Sequence, residues 1–549
     1  MPQPMSEVLE ALAPAGLALA VLAACVTLMR SSGEQLEWNT YLALGTVLPA
    51  GVLLIAAPLP RWQRARRLAA LALGAAFAVA STVLIFGQPS LPAACFALVT
   101  VGVVAWHARR NAQDYWRTPA VLFVPVAFAA WIAAQRFLWW TPPAAWGWRS
   151  LTGGAVVAGL TAHQIFARHS TVNSIGRRAV VLAADAFAVA LLLLASVRAD
   201  RLFTPNALHH WSFIAGPAQL VREGGWLLWD VPSQYGFLST LAIAALPARD
   251  VWQAIYLLDS ALLFLSAAFV YLLLRTSSPG PLRQAFALLA TLAAVFLVPG
   301  EVVTRSGPQE YPSIGALRFF WCYAMLAVLV WAHRDDTVPS HHRRILITGC
   351  AVWLAGTLWS FESAVYCAAI WLPAYALLVW RWTPRGGART SRRIRACAAW
   401  WLLPAALLGA IVIGLHLTYV ATLGNAPDWW AFAEYSASYA AGFAALPVQS
   451  GGPVGAIVLV FCALTAVVGC GLRGALPPAA LAPAVGAWAT VWATASYFVG
   501  RSADSSATNI TSLLCVAALV ALSLVRRADA ASAPAMRARL RRVPFLSVV

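Results

Sequence analysis

Residues 179–201 read AVVLAADAFAVALLLLASVRADR. The run 179–197 is apolar apart from Asp185 and Ser196, and at about 1.5 Å per helical residue it crosses a hydrocarbon core of about 30 Å. Arg177-Arg178 precede it and Arg198-Ala199-Asp200-Arg201 follow it. A basic pair at one end and a mixed acidic and basic cluster at the other mark a membrane-spanning helix whose start lies on the cytoplasmic side.

Working outward, the same pattern recurs along the whole chain. Of 549 residues 61% are hydrophobic and 11% charged, against about 25% charged in a soluble domain. The spans fall near 8–29, 40–58, 68–87, 91–106, 119–138, 150–167, 179–197, 252–274, 283–299, 314–332, 345–360, 362–380, 397–420, 453–471, 479–499 and 508–525. The expected fold is therefore an all-α polytopic membrane protein of roughly sixteen transmembrane helices.

Charge orients it. All 38 basic residues are Arg, and placing the segments around 61–67, 107–118, 168–178, 275–283, 333–344, 381–396, 472–478 and the tail 526–549 inside puts 28 arginines inside and 10 outside. Carboxylates run the other way, with 12 outside, 6 inside and 2 (Asp185 and Asp259) within spans. This is the positive-inside pattern, with both ends cytoplasmic and the long loops 198–251, 300–313 and 421–452 outside. The net charge of +18 thus belongs to membrane topology and not to nucleic-acid binding. An Arg-rich chain without Lys points to a GC-rich bacterial genome, hence to a bacterial inner membrane. It also excludes Schiff-base and P-loop chemistry, which need a Lys amine. The nine cysteines all fall in spans without a C-x-x-C pair and read as small buried hydrophobes, neither a disulfide frame nor a zinc site.

The outer loops carry the residues with chemical potential. Asp200, flanked by arginines, stays ionised, and either acts as a base or caps an interfacial turn. Residues 207–216, ALHHWSFIAG, suit a helix lying in the interface plane, where His209 and His210 either contact phosphate or form a hydrated face. Residues 224–236, GGWLLWDVPSQYG, put Asp230, Gln234 and Tyr235 among tryptophans. An aromatic belt explains the rings; a sugar site explains the polar groups beside them as well. Glu301, Arg305, Glu310 and Arg318 follow. Glu362 sits in a hairpin tip so tight that it must face protein or a cavity. Asp428-Trp429-Trp430 and Glu434-Tyr435 read as plain interfacial residues. Arg501 is placed at membrane level, where guanidinium matches a lipid phosphate. Asp185 and Asp259, as intramembrane acids, could carry protons in a transporter. His333-Arg334-Asp335-Asp336 with His341-His342 lacks metal-ligand spacing and reads as a solvated loop.

Over residues 179–510 this arrangement resembles the GT-C superfamily of integral-membrane glycosyltransferases: a helix running outward, an acid just beyond it at Asp200, and a long first outer loop with interfacial helices. The resemblance divides the chain into an N-terminal bundle of about six helices at 1–178, a GT-C-like module at 179–525 and a basic cytoplasmic tail at 526–549. It implies inverting transfer of a sugar from a polyprenyl-linked donor to a glycan, lipid or protein acceptor at the outer face. Asp200 would be the catalytic base. Arg201, Arg305 and Arg501 would hold the lipid phosphate, and His209, His210, Asp230, Gln234, Tyr235, Glu310 and Glu362 would contact sugar or acceptor. The chain departs from the family in having a single Asp at residue 200 where many members carry an acidic pair. That disfavours a divalent cation, and no metal site or other cofactor is expected. The alternatives are a proton-coupled transporter or flippase of lipid-linked sugars, and a glycan polymerase or ligase.

Overall fold

The computed structural model describes residues 175–197, 205–231, 233–275, 281–297, 315–383, 390–440, 476–500 and 504–531, with short pieces of 457–472. Of the described residues 86% are helical and none lies in a strand. The expected spans before residue 175 lie outside them, as do Asp200, Arg201, Arg305, Glu310, Arg501 and the end of the tail.

The chain enters through α1 (Ile175–Ser196), α2 (Pro205–Arg222) and the short α3 (Leu238–Ala245). It continues through α4 (Val251–Arg275), α5 (Pro281–Leu292, ending in a π-helical turn over Ala293–Leu297), α6 (Ala316–Arg334), α7 (Pro339–Trp359) and α8 (Phe361–Trp382). Then follow α9 (Thr390–Leu423), α10 (Ala431–Ala440), α11 (Leu481–Gly500) and α12 (Asp504–Ala531). Four of the described helices have a segment long and apolar enough to cross a membrane: Val251–Arg275, Ala316–Arg334, Phe361–Trp382 and Cys397–Leu423.

The centre of the bundle is α8, packed chiefly on α7 and α11, with α11 packed in turn on α12. Small residues make this closeness available, because helices in hydrocarbon associate through tight packing. Gly349 of α7 faces the indole of Trp371, which is fully buried, and a methyl group there would collide with the ring. At Gly356 a methyl carbon would stand 2.5 Å from the Cys367 sulfur. The described cysteines are all free, and four of them (Cys322, Cys350, Cys367 and Cys397) are buried, in agreement with their reading as packing residues.

The break between α7 and α8 is made by one residue. Ser360 is extended and its hydroxyl accepts a hydrogen bond from the Ser363 amide at 3.2 Å, capping α8. That cap satisfies one of the amides a helix start leaves without an intrahelical partner. It lets α7 and α8 form a hairpin with a one-residue tip, as the sequence leads one to expect.

In α2 the residues Trp211, Ile214, Ala215 and Ala218 are buried at helical spacing, while Phe213 and Leu220 on its other face are exposed. The Arg222 guanidinium at its end donates to the carbonyls of Ile243, Ala244, Leu246 and Ala248. It thereby caps the end of α3 and holds the loop between α3 and α4. By contrast, only 6% of the apolar window of α9 is buried, with Leu402, Ile413 and Leu417 exposed, the surface that a helix against hydrocarbon requires.

Candidate functional site

Three segments distant in sequence meet at the end of the bundle that carries the α7–α8 tip. The 224–236 segment turns tightly there. Leu228 has φ 62° and Gly236 φ 103°, and a methyl group on Gly236 would collide with the Trp359 carbonyl. Glycine at 236 therefore answers two needs, a left-handed backbone and a close approach to the hairpin tip. The neighbouring hydroxyl of Ser239 donates to the carbonyls of Tyr235 (2.7 Å) and Trp359 (3.1 Å). From the other side, the Asp428 amide donates to Leu228 O at 2.7 Å and the Tyr419 hydroxyl to Leu227 O. The end of α9 and the start of α10 are thus pinned over the same segment.

Between these parts lies a cleft of about 440 Å³, its open mouth included, lined by Gln234 and Tyr235, by Leu317 and Arg318, by Trp359 to Glu362, and by Phe432, Tyr435 and Ser436. Most of that volume is open to solvent, and the enclosed part has room for about one water. Aromatic rings meet across it, Tyr235 with Tyr435 at 6.4 Å between centroids and Phe361 with Phe432 at 6.3 Å.

At the inner wall stands a charge pair. Arg318 donates from Nε to Glu362 Oε2 at 2.6 Å and from its terminal nitrogen to Oε1 at 2.5 Å, a two-pronged bond between parallel groups. The guanidinium lies 4.3 Å from the centroid of the Tyr497 ring, a cation–π contact. Asn509 of α12 donates to the Tyr497 hydroxyl at 3.2 Å. The Arg318 side chain is 8% exposed and that of Glu362 27%, so the cation is buried beneath an acid that still reaches the cleft. Behind them the Trp359 indole donates to Leu317 O at 2.7 Å.

Of the residues expected from sequence, Gln234, Tyr235 and Glu362 come together in this cleft. Asp230 does not: it is exposed, outside the lining, and its carboxylate accepts from the Trp226 amide at 2.5 Å within its own turn. His209 and His210 fall within α2, whose first turns are described as backbone only. Reading the sequence assigned no partner to Arg318 and treated the 428–435 stretch as interfacial, so it missed Phe432, Tyr435 and Ser436. One signal was available for Arg318: it stands in the first turn of a span at the depth of the Glu362 tip. No signal was available for α10, whose approach depends on hydrogen bonds to backbone carbonyls.

The two intramembrane acids differ. Asp185 is fully engaged, by Arg275, by the Tyr271 hydroxyl at 2.7 Å and by the Gln284 amide at 2.7 Å, and it ties α1 to α4 and α5. Asp259 is buried, and among the described residues one of its carboxylate oxygens has no hydrogen-bond partner. The expected solvated loop at 333–342 is more ordered than its composition suggests. Asp335 accepts from Trp331 and pairs with His341, both at 2.8 Å, while Asp336 pairs with Arg381. His342 stacks on Trp382 with centroids 4.0 Å apart. Among the described residues no group of three or more His, Cys, Asp or Glu could hold a metal ion.

Comparison with known families, curated proteins and solved structures finds no match. The chemistry of the cleft is what remains to be read.

Proposed function

We propose that the chain is a membrane glycosyltransferase of the GT-C kind, working on a polyprenyl-linked sugar at the outer face of a bacterial inner membrane. The observation that carries this reading is the cleft itself. An amide, a carboxylate and several aromatic rings from three separate segments converge on one open cleft. Rings offer flat faces to the C–H side of a sugar, and the carboxylate and amide accept and donate to its hydroxyls.

In the proposed reaction Asp200 takes the proton of an acceptor hydroxyl as its oxygen attacks the anomeric carbon. The bond from that carbon to the donor phosphate oxygen breaks, and polyprenyl phosphate leaves with the electron pair. Arg201, Arg305 and Arg501 are the proposed cations for the developing phosphate charge. Gln234, Tyr235 and Glu362 position the sugar. His209, His210 and Glu310 are the further proposed contacts to sugar or acceptor, while Asp230 stands outside the cleft lining.

The test is direct. Purified protein in nanodiscs is given a panel of polyprenyl-phosphate sugars with an acceptor extract, and released polyprenyl phosphate is followed by mass spectrometry. Release that fails in Asp200→Asn and falls in Glu362→Gln supports the reading. Full release in both variants sinks it.

Proton-coupled transport has one observation in its favour, the unpartnered oxygen of buried Asp259. Asp185, the other acid such a transporter would use, has its carboxylate occupied by three partners.

A further inference from the structure

Resting on the reading of the cleft as a sugar site, we infer that it selects a neutral sugar over an anionic one, and that the Arg318–Glu362 pair sets this preference. Among the described lining residues those two are the only charged ones. They cancel: the guanidinium is held by both carboxylate oxygens, and the Tyr497 ring covers it. Among the described lining residues no cation is left over to receive the carboxylate of an acidic sugar.

The geometry also fixes which member faces the ligand. Arg318 is the more buried of the two and Glu362 the more exposed. An ionised carboxylate has about four lone-pair sites, and a two-pronged Arg takes about two of them. The remaining sites on Glu362 suit hydroxyl donors, with which a carboxylate makes charge-assisted bonds. A uronate in the same place would bring a second carboxylate against Glu362 in a partly desolvated space, where like charges repel strongly. Gln234, on the neighbouring wall, adds an amide that serves hydroxyls and carries no charge.

The experiment measures binding apart from transfer. Protein in nanodiscs is titrated with free glucose, galactose, mannose and glucuronate by saturation-transfer NMR. Wild type is expected to bind at least one neutral hexose at least tenfold more tightly than glucuronate. Glu362→Gln, which leaves Arg318 uncompensated, should reverse that order. Because this variant disturbs a buried pair, Gln234→Arg provides a second arm: it leaves the pair intact, adds a cation to the wall and should bring glucuronate to parity or better. Equal binding of glucuronate and neutral hexoses by wild type overturns the inference, as does wild-type preference retained in both variants or the absence of any hexose binding. The two readings separate cleanly. Charge-selective binding without transfer removes the transferase and keeps the neutral-sugar site, whereas transfer that accepts uronate donors equally removes the selectivity and keeps the transferase.

Discussion

Two arginine–carboxylate pairs in this bundle use the same fork geometry to different ends. Arg275 grips Asp185 through two nitrogens, and Tyr271 and Gln284 occupy the rest of that carboxylate. Arg318 grips Glu362 in the same way, yet among the described residues Glu362 has no other hydrogen-bond donor and opens into the cleft. A saturated carboxylate is a clamp between helices. An unsaturated one beside a cavity is a clamp with acceptor capacity to spare. The pattern of further donors, and not the ion pair itself, separates structure from site.

The sharpest way to break this comparison is to remove a cation. Arg318→Met leaves Glu362 partly buried without its partner and takes the cation from the Tyr497 face. Removing one member of a buried pair costs about 3–5 kcal/mol, discounted here to about 3 because Glu362 is partly exposed. Thermal unfolding in detergent should show a large drop, and Arg318→Met with Glu362→Met should recover much of it. A double variant no more stable than the single would refute the coupling.

A control away from charge comes next. Gly349→Ala places a methyl group into the ring of Trp371, which is locked in the core. Overpacking of this kind costs about 1–3 kcal/mol. The α7–α8 hairpin should loosen, read as earlier melting together with weaker sugar binding, because both walls of the tip move. Unchanged melting would mean that the two helices are not pressed together at this crossing.

Asp185→Asn tests the other half of the comparison. It removes the ion pair with Arg275 but keeps an amide oxygen for Tyr271 or Gln284, so a loss of about 1 kcal/mol is expected for a partly exposed pair. Sugar binding and transfer should stay at wild-type levels. Loss of function at preserved stability would instead make Asp185 a working residue, as the transporter reading requires.

How much of this was legible beforehand follows from the range of the forces involved. The break between the spans at 345–360 and 362–380 and the placing of Glu362 at a confined tip came from the lengths of two adjacent apolar runs, whereas the cap that Ser360 gives α8 was seen only in the structure. The free, buried cysteines followed from their positions inside spans. The place of Asp230 outside the cleft lining was not legible, because its bond to the Trp226 amide depends on a turn containing Leu228 at positive φ, a conformation that a leucine does not advertise. The contribution of Phe432 and Tyr435 was hidden because α10 is brought to the cleft by contacts with residues about two hundred positions earlier, such as Asp428 with Leu228. Periodicity is blind to such pairings.

The smallest expected effect lies at the opposite end of α6. Burial pushes the Asp336 carboxyl up, but hydrogen bonds from Arg381 and Trp382 outweigh it and hold it below the usual carboxylate range. A folded-state pKa below the unfolded value favours the folded form wherever the unfolded carboxyl is already ionised. The contribution is therefore complete above about pH 5, declines through the unfolded value near about 4, and is lost as pH falls through the folded value. Asp336→Asn lacks this linkage. The gap in melting temperature between wild type and this variant should be widest near neutral pH and close on acidification toward about pH 3. A gap that stays constant across that range would assign the contact to packing of Trp382 against the α6–α7 turn. The turn would then be held by shape and not by charge.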